Sequence, residues 1–171
     1  LPLAALGAAG YWLTRPPPAF DGFEREPNEE PATANMLPLG TPIRGYIGKR
    51  AAEDRGDVDL FAFQIPKEAQ AARVELRALP NIPLCLQLYR RGQPNAFAQY
   101  CTGAPGIDLV LPQLAIGEGS YLAAVKQDLD PRGDSRVYIH ENVSDAYELG
   151  IATTSVAPDR ETEPNDVVAS A

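Results

Sequence analysis

Histidine, cysteine, methionine and tryptophan are scarce in this chain: one His, two Cys, one Met and one Trp in 171 residues. One His and two separated Cys cannot fill a usual zinc ligand set. His140 falls in an alternating stretch and reads as an edge or surface histidine, since no Ser or Cys nucleophile sits in a GxSxG-type elbow. No glycine-rich phosphate loop precedes a helix. Basic residues are also in deficit, with 15 Lys and Arg against 23 Asp and Glu, a formal charge of −8. There is no basic stripe, so nucleic acid is not an expected partner. Nothing here points to an enzyme; Asp57 and Asp59 would be the only candidate acid pair.

Long hydrophobic runs are missing too. The longest, Leu1–Leu13, is followed by Arg15 and carries Tyr11 and Trp12 at its end. Thirteen residues are too few for a bilayer, which needs about 20. Aromatic residues before a cation mark a membrane–water interface. Residues 1–14 therefore read as the end of a membrane or signal segment, and the rest as extracytoplasmic, periplasmic or at the cell surface. Residues 15–23, with Pro16–Pro18, form a stiff proline-rich linker.

What the chain does have is a phrase used twice. Glu24-Arg-Glu-Pro-Asn-Glu-Glu-Pro-Ala-Thr-Ala34 returns as Glu161-Thr-Glu-Pro-Asn-Asp-Val-Val-Ala-Ser-Ala171, identical at six of eleven positions. Copies so far apart bracket a whole domain. We place it at residues 24–154, with 155–171 a linker and the start of a second repeat.

Between the copies the hydrophobic period is two. Phe61, Phe63 and Ile65 share a face; so do Leu84, Leu86 and Leu88; Arg73–Ala78 alternates charged and apolar groups. Similar runs cover 43–48, 107–111, 121–125, 137–141 and 147–151. Glu68–Leu79 also suits helical spacing, and the alternation favours a short turn leading into a strand. About eight strands split by Gly, Pro, Asn and Asp, with no βαβ rhythm, predict an all-β antiparallel β-sandwich. Leu84–Tyr89 and Ala96–Thr102 form a hairpin; symmetry about Gln93 sets Cys85 opposite Cys101, compatible with a cross-strand disulfide suited to an oxidising compartment. Asn142-Val-Ser144 fits a glycosylation sequon. Tyr46, Tyr89, Tyr100 and Tyr138 are candidates for an exposed contact band.

The acidic residues form the candidate site. Glu24, Glu26, Asn28 and Glu29 crowd into six residues, and extended backbone sets Glu24, Glu26 and Asn28 on one side. Asp57-Val-Asp59 repeats that geometry at the mouth of a strand. Calcium takes six to eight oxygens, several of them carboxylate. If the linker lies against the Asp59 strand, the two groups make one oxygen cage.

In order and spacing, these pieces resemble the bacterial pre-peptidase C-terminal domain family, similar in fold to the collagen-binding domains of clostridial collagenases. The resemblance runs from Glu24 to about Thr154. It rests on Glu24-x-Glu26-Pro27-Asn28 with Ala32 and Ala34, Gly45-Tyr-Ile47, Asp57-x-Asp59-Leu-Phe61-Ala-Phe63, Leu84-x-Leu86-x-Leu88-Tyr89-x-x-Gly92, Gly119-Ser-Tyr121-Leu-Ala-Ala-Val125 and Tyr147-Glu-Leu149. It implies a jelly-roll-like sandwich, exported, non-catalytic and appended to proteases or other secreted or membrane-anchored proteins. It also implies calcium between linker and acidic turn, with Glu24, Glu26 and Asn28 as linker ligands and Asp57 and Asp59 at the turn. Glu29 departs from the Asp or Asn often found at its place. The expected function is an accessory module binding a polymer, a protein surface or its own attached domain. The alternatives are a calcium-stiffened spacer and the periplasmic sensor domain of a membrane-anchored enzyme.

Overall fold

The computed structural model describes residues 20–48, 50, 52, 55–129, 139–156 and 163–164. They contain nine strands: β1 Asn35–Met36, β2 Ile43–Ile47, β3 Val58–Ile65, β4 Ala71–Arg77, β5 Leu84–Arg90, β6 Ala98–Cys101, β7 Leu109–Ala115, β8 Gly119–Gln127 and β9 Asn142–Thr154. They form two sheets, β1-β3-β8-β5-β6 and β2-β9-β4-β7. The chain changes sheet at every connection except the β5–β6 hairpin. Pairing is antiparallel apart from β1, which runs parallel to β3. The fold is an all-β sandwich.

Alternation explains the layers. In β3, Phe61, Phe63 and Ile65 point between the sheets; Leu84, Leu86 and Leu88 do so in β5; Tyr147, Leu149 and Ile151 do so in β9. Burial of these side chains supplies the main driving force for closing the two sheets. Phe63 stacks on Tyr121 at 5.5 Å between centroids, and Phe61 meets Tyr147 edge-on at 6.4 Å. The ambiguous 68–79 segment resolves as a turn after Pro66, where the Ala69 N–H donates to the Pro66 carbonyl, followed by β4. No strand covers Ile139–Glu141, while Val137 and Tyr138 lie outside the described residues, as does Leu1–Leu13. Among the described residues no helix is long and apolar enough to cross a membrane.

Three details bear on function. Cys85 and Cys101 face each other in the β5–β6 register, Cα–Cα 4.0 Å, and are joined in a disulfide. Tyr46 lies in one sheet, Tyr89 and Tyr100 in the other, with Tyr100 packed on the core, so these three make no common band. Asn142 is buried in the turn that starts β9. Its amide donates to Asn81 and Asp145, and its oxygen accepts from Ser144 and Asp145 N–H groups. The amide nitrogen a glycan would need is thus buried and donates to two partners.

Candidate metal centre

The site forms at one end of the sandwich, where the segment before β1 crosses the gap between the sheets. This segment is no free linker. Phe23 bridges Arg44 of β2 in parallel, with the Glu24 N–H donating to the Arg44 carbonyl (2.8 Å) and the Arg44 N–H to the Gly22 carbonyl (2.8 Å). Asn35, on β1, acts as a strand edge: its Oδ1 accepts from the Arg25 N–H (2.8 Å) and its Nδ2 donates to the Arg25 carbonyl (3.0 Å). The Leu60 N–H then donates to the Asn28 carbonyl (3.2 Å), laying the acidic segment on the start of β3.

Period two decides what faces inward there. Asp59 has the parity of Phe61, Phe63 and Ile65, so a carboxylate occupies the first core position of β3 and is fully buried. Tyr147 reaches it from the opposite sheet, its hydroxyl 2.5 Å from Asp59 Oδ2 and 3.3 Å from Glu24 Oε2. Gly45 pairs with Tyr147 across β2 and β9. A Cβ there would collide with the Tyr147 ring and hydroxyl and with Glu24, so glycine is what lets the three groups meet.

Oxygens of Glu24, Glu26 and Asp59 come within 4.8 Å of one another. Glu24 Oε1 accepts from the Tyr46 N–H (2.6 Å), and Glu26 Oε2 from the Asn28 N–H (3.0 Å). Asn28 is fully buried among them, its Nδ2 3.5 Å from Glu24 Oε2. Asp57 stands beside this group with both oxygens bonded to backbone, Oδ2 to the Gly48 N–H (2.5 Å) and Oδ1 to the Val58 N–H (3.0 Å). Glu29 is exposed, on the rim of a depression with Glu30, Arg55 and Val58.

The electrostatics are those of crowded acids. Burial pushes the Asp59 carboxyl up to about 9, reinforced by the charge of Glu24 and opposed by the Tyr147 hydrogen bond. Burial likewise lifts Glu24 to about 7, the Tyr46 N–H opposing and Glu26 and Asp57 reinforcing. Glu26 and Asp57 are raised mainly by burial, and Tyr147 by burial and then the facing acids. Two unit charges 4.8 Å apart repel by on the order of 3 kcal/mol at an effective dielectric of 20. Such a cluster holds protons or a cation.

Two buried oxygens, Asn28 Oδ1 and Asp59 Oδ1, have no hydrogen-bond donor among the described residues. An unmet buried acceptor costs about 1–3 kcal/mol. A cation is one partner such oxygens can take, and the Glu24, Glu26 and Asp59 carboxylates beside them offer the oxygen ligands that calcium requires. The residues fit the ion. Sequence inspection singled out the acids but passed over Tyr147 and Gly45; the signal for Tyr147 was a hydroxyl on the inward face of an alternating strand.

No family model and no curated protein matches the chain. Among solved structures it is similar to the pre-peptidase C-terminal domain of collagenase from Bacillus anthracis, at 20% identity and TM-score 0.48, covering 75% of this chain and 99% of that one. It is also similar to PliG of Aeromonas hydrophila, a periplasmic inhibitor of g-type lysozyme, at 14% identity and TM-score 0.39, covering 71% of this chain and 97% of that one.

Proposed function

We propose that the chain is a non-catalytic extracytoplasmic module whose N-terminal acidic segment is locked to the sandwich by calcium. The observation that carries this reading is the pair of donorless buried oxygens, Asn28 Oδ1 and Asp59 Oδ1, beside three converging carboxylates. Glu24, Glu26, Asn28 and Asp59 would hold the ion. Bound calcium would offset the repulsion among the acids. Tyr147 would keep its hydroxyl on Asp59 and hold that carboxylate in place, while Gly45 keeps the approach open. Asp57 shapes the turn that presents Asp59.

The site lies where the segment entering the domain meets the sandwich, which supports a role as a calcium-stiffened spacer. Ordering that junction fixes the direction in which the preceding chain leaves. The module would present its faces to a protein or polymer surface, or to a neighbouring domain of the same chain. The test is thermal unfolding in millimolar calcium and in chelator, for the parent, Glu26→Ala and Asp59→Asn. An ion at a hundred times its Kd adds about 2.7 kcal/mol, which should raise the parent Tm by about 5 °C or more. Both variants should lose that rise. A parent Tm indifferent to calcium would mean that protons alone neutralise the cluster, and would end the calcium reading.

A further inference from the structure

Three large apolar side chains stand exposed beside the acidic cluster: Phe20 at 40%, Phe23 at 43% and Met36 at 63% of their surface. They line one shallow depression of about 200 Å³ together with Asp21, Arg25, Asn35 and Ile43. A soluble surface scatters such residues; three on one depression mark a contact face. We propose that this face docks into the interfacial layer of a lipid bilayer, Phe20, Phe23 and Met36 entering the headgroup–acyl boundary.

Two observations select lipid as the occupant. The first is reach. The apolar run Leu1–Leu13 ends seven residues before Phe20, with Pro16–Pro18 between. At the limit of about 3.6 Å per residue for a fully extended chain, seven residues reach no further than about 25 Å. With Leu1–Leu13 in a membrane, the Phe20 face is the part of the sandwich held nearest to it. The second is charge. The flanking cations are matched: Arg25 pairs with Asp21 at 2.9 Å, and Arg44, whose guanidinium lies 5.9 Å from the Phe23 ring centroid, pairs with Glu148 at 3.3 Å. Within the depression the two charged groups, Asp21 and Arg25, cancel, although the chain as a whole carries −8 and the Glu24 and Glu26 carboxylates lie beside it. The face fits zwitterionic lipid and needs no anionic headgroup. Phenylalanine and methionine at a neutral rim enter the interface by area buried, not by charge.

The inference rests on the extracytoplasmic reading and on Leu1–Leu13 being a membrane rather than a signal segment, and adds which surface meets the bilayer. The test uses the full chain with phosphatidylcholine vesicles, with and without 30% phosphatidylglycerol, at low and high salt. A fluorophore on Met36→Cys, with the native cysteines joined to each other, reports the patch. The same fluorophore on Val110→Cys, exposed on β7 at the far edge of the other sheet, is the control. Expected are emission blue-shifted on vesicle addition and quenched by nitroxide lipid at position 36 but not at 110, little changed by anionic lipid or salt. Replacing Phe20, Phe23 and Met36 together by Ser should lower vesicle partitioning by about tenfold or more. Flotation of the parent with equal quenching at 36 and 110 would overturn the docking face and leave the tether standing. A parent that stays with the aqueous fraction would sink both. A fluorophore at 36 already shielded before lipid is added would assign the patch to the chain's own apolar segment and overturn the proposal.

Discussion

The five-stranded sheet has two edges, and they are fastened by opposite chemistries. At one, the Glu24–Asn28 segment and β1 lie against β3 over a nest of acids, Asp59 buried, Glu24 half-buried and Glu26 exposed, and a buried tyrosine. At the other, β6 is tied to β5 by the Cys85–Cys101 disulfide, backed by neutral amides: Gln87 bonds Gln99, and the Tyr89 hydroxyl bonds Gln87. The covalent edge is indifferent to pH and cations but answers to reductant. The acidic edge is indifferent to reductant; on the proposed reading it would answer to protons and calcium. A short edge strand contributes few apolar contacts, so each edge needs a fastening beyond the core. The chemistry of the fastening sets which solution condition can loosen it.

The contrast can be broken from either side. The largest effect is expected at Gly45→Ala, where the new methyl meets the Tyr147 hydroxyl and Glu24. Displacing these buried groups should cost about 3 kcal/mol or more and remove any calcium-dependent rise in Tm, while reductant lowers stability in variant and parent alike. Next, Cys85→Ser with Cys101→Ser opens a loop of sequence separation 16 and should cost about 3 kcal/mol in urea unfolding, with the calcium response intact. A calcium response lost together with the disulfide would show that the two edges are coupled.

Tyr147→Phe should cost about 1–3 kcal/mol, because Asp59 loses its buried donor. The loss should be larger in chelator than in calcium, as read by calorimetry. The pH profile is subtler, and its sign separates proton from cation. Glu24 and Asp59 are raised, from ordinary values of 4.5 and 3.8 to about 7 and about 9. The folded chain therefore holds protons that the unfolded chain has released. In chelator, the contribution of these two groups to stability is fully present below about pH 4 and is lost as pH rises through 7 towards 9. In calcium the slope should flatten or reverse, since only ionised carboxylates ligate. A profile identical with and without calcium would refute the cation. The smallest change is expected from Glu148→Gln, which removes exposed pairs to Arg44 and Arg77. It should shift stability by less than about 1 kcal/mol and leave both fastenings alone.

The period-two pattern was enough to predict the sandwich, because burying one face of a strand forces alternation whatever the neighbours are. β3, β5 and β8 were legible for this reason. The parallel β1, two residues long, was not: it is a strand only because β3 offers its edge to Asn35 and Met36. Likewise the hairpin symmetry set Cys85 opposite Cys101 from local spacing alone.

The amino-acid order by itself determined that acids would cluster near Glu24–Glu29 and Asp57–Asp59, and that Asp59 shares the parity of Phe61. Only the tertiary structure decided which of them meet. Glu24, Glu26 and Asp59 converge with Asn28 beside them, Asp57 accepts backbone N–H groups, and Glu29 is exposed at the rim, its charge still felt by Glu26 and Asp57. The physical reason is distance along the chain. Alternation is a local rule, whereas Tyr147 lies 88 residues from Asp59 and meets it only when the two sheets close on their shared apolar core.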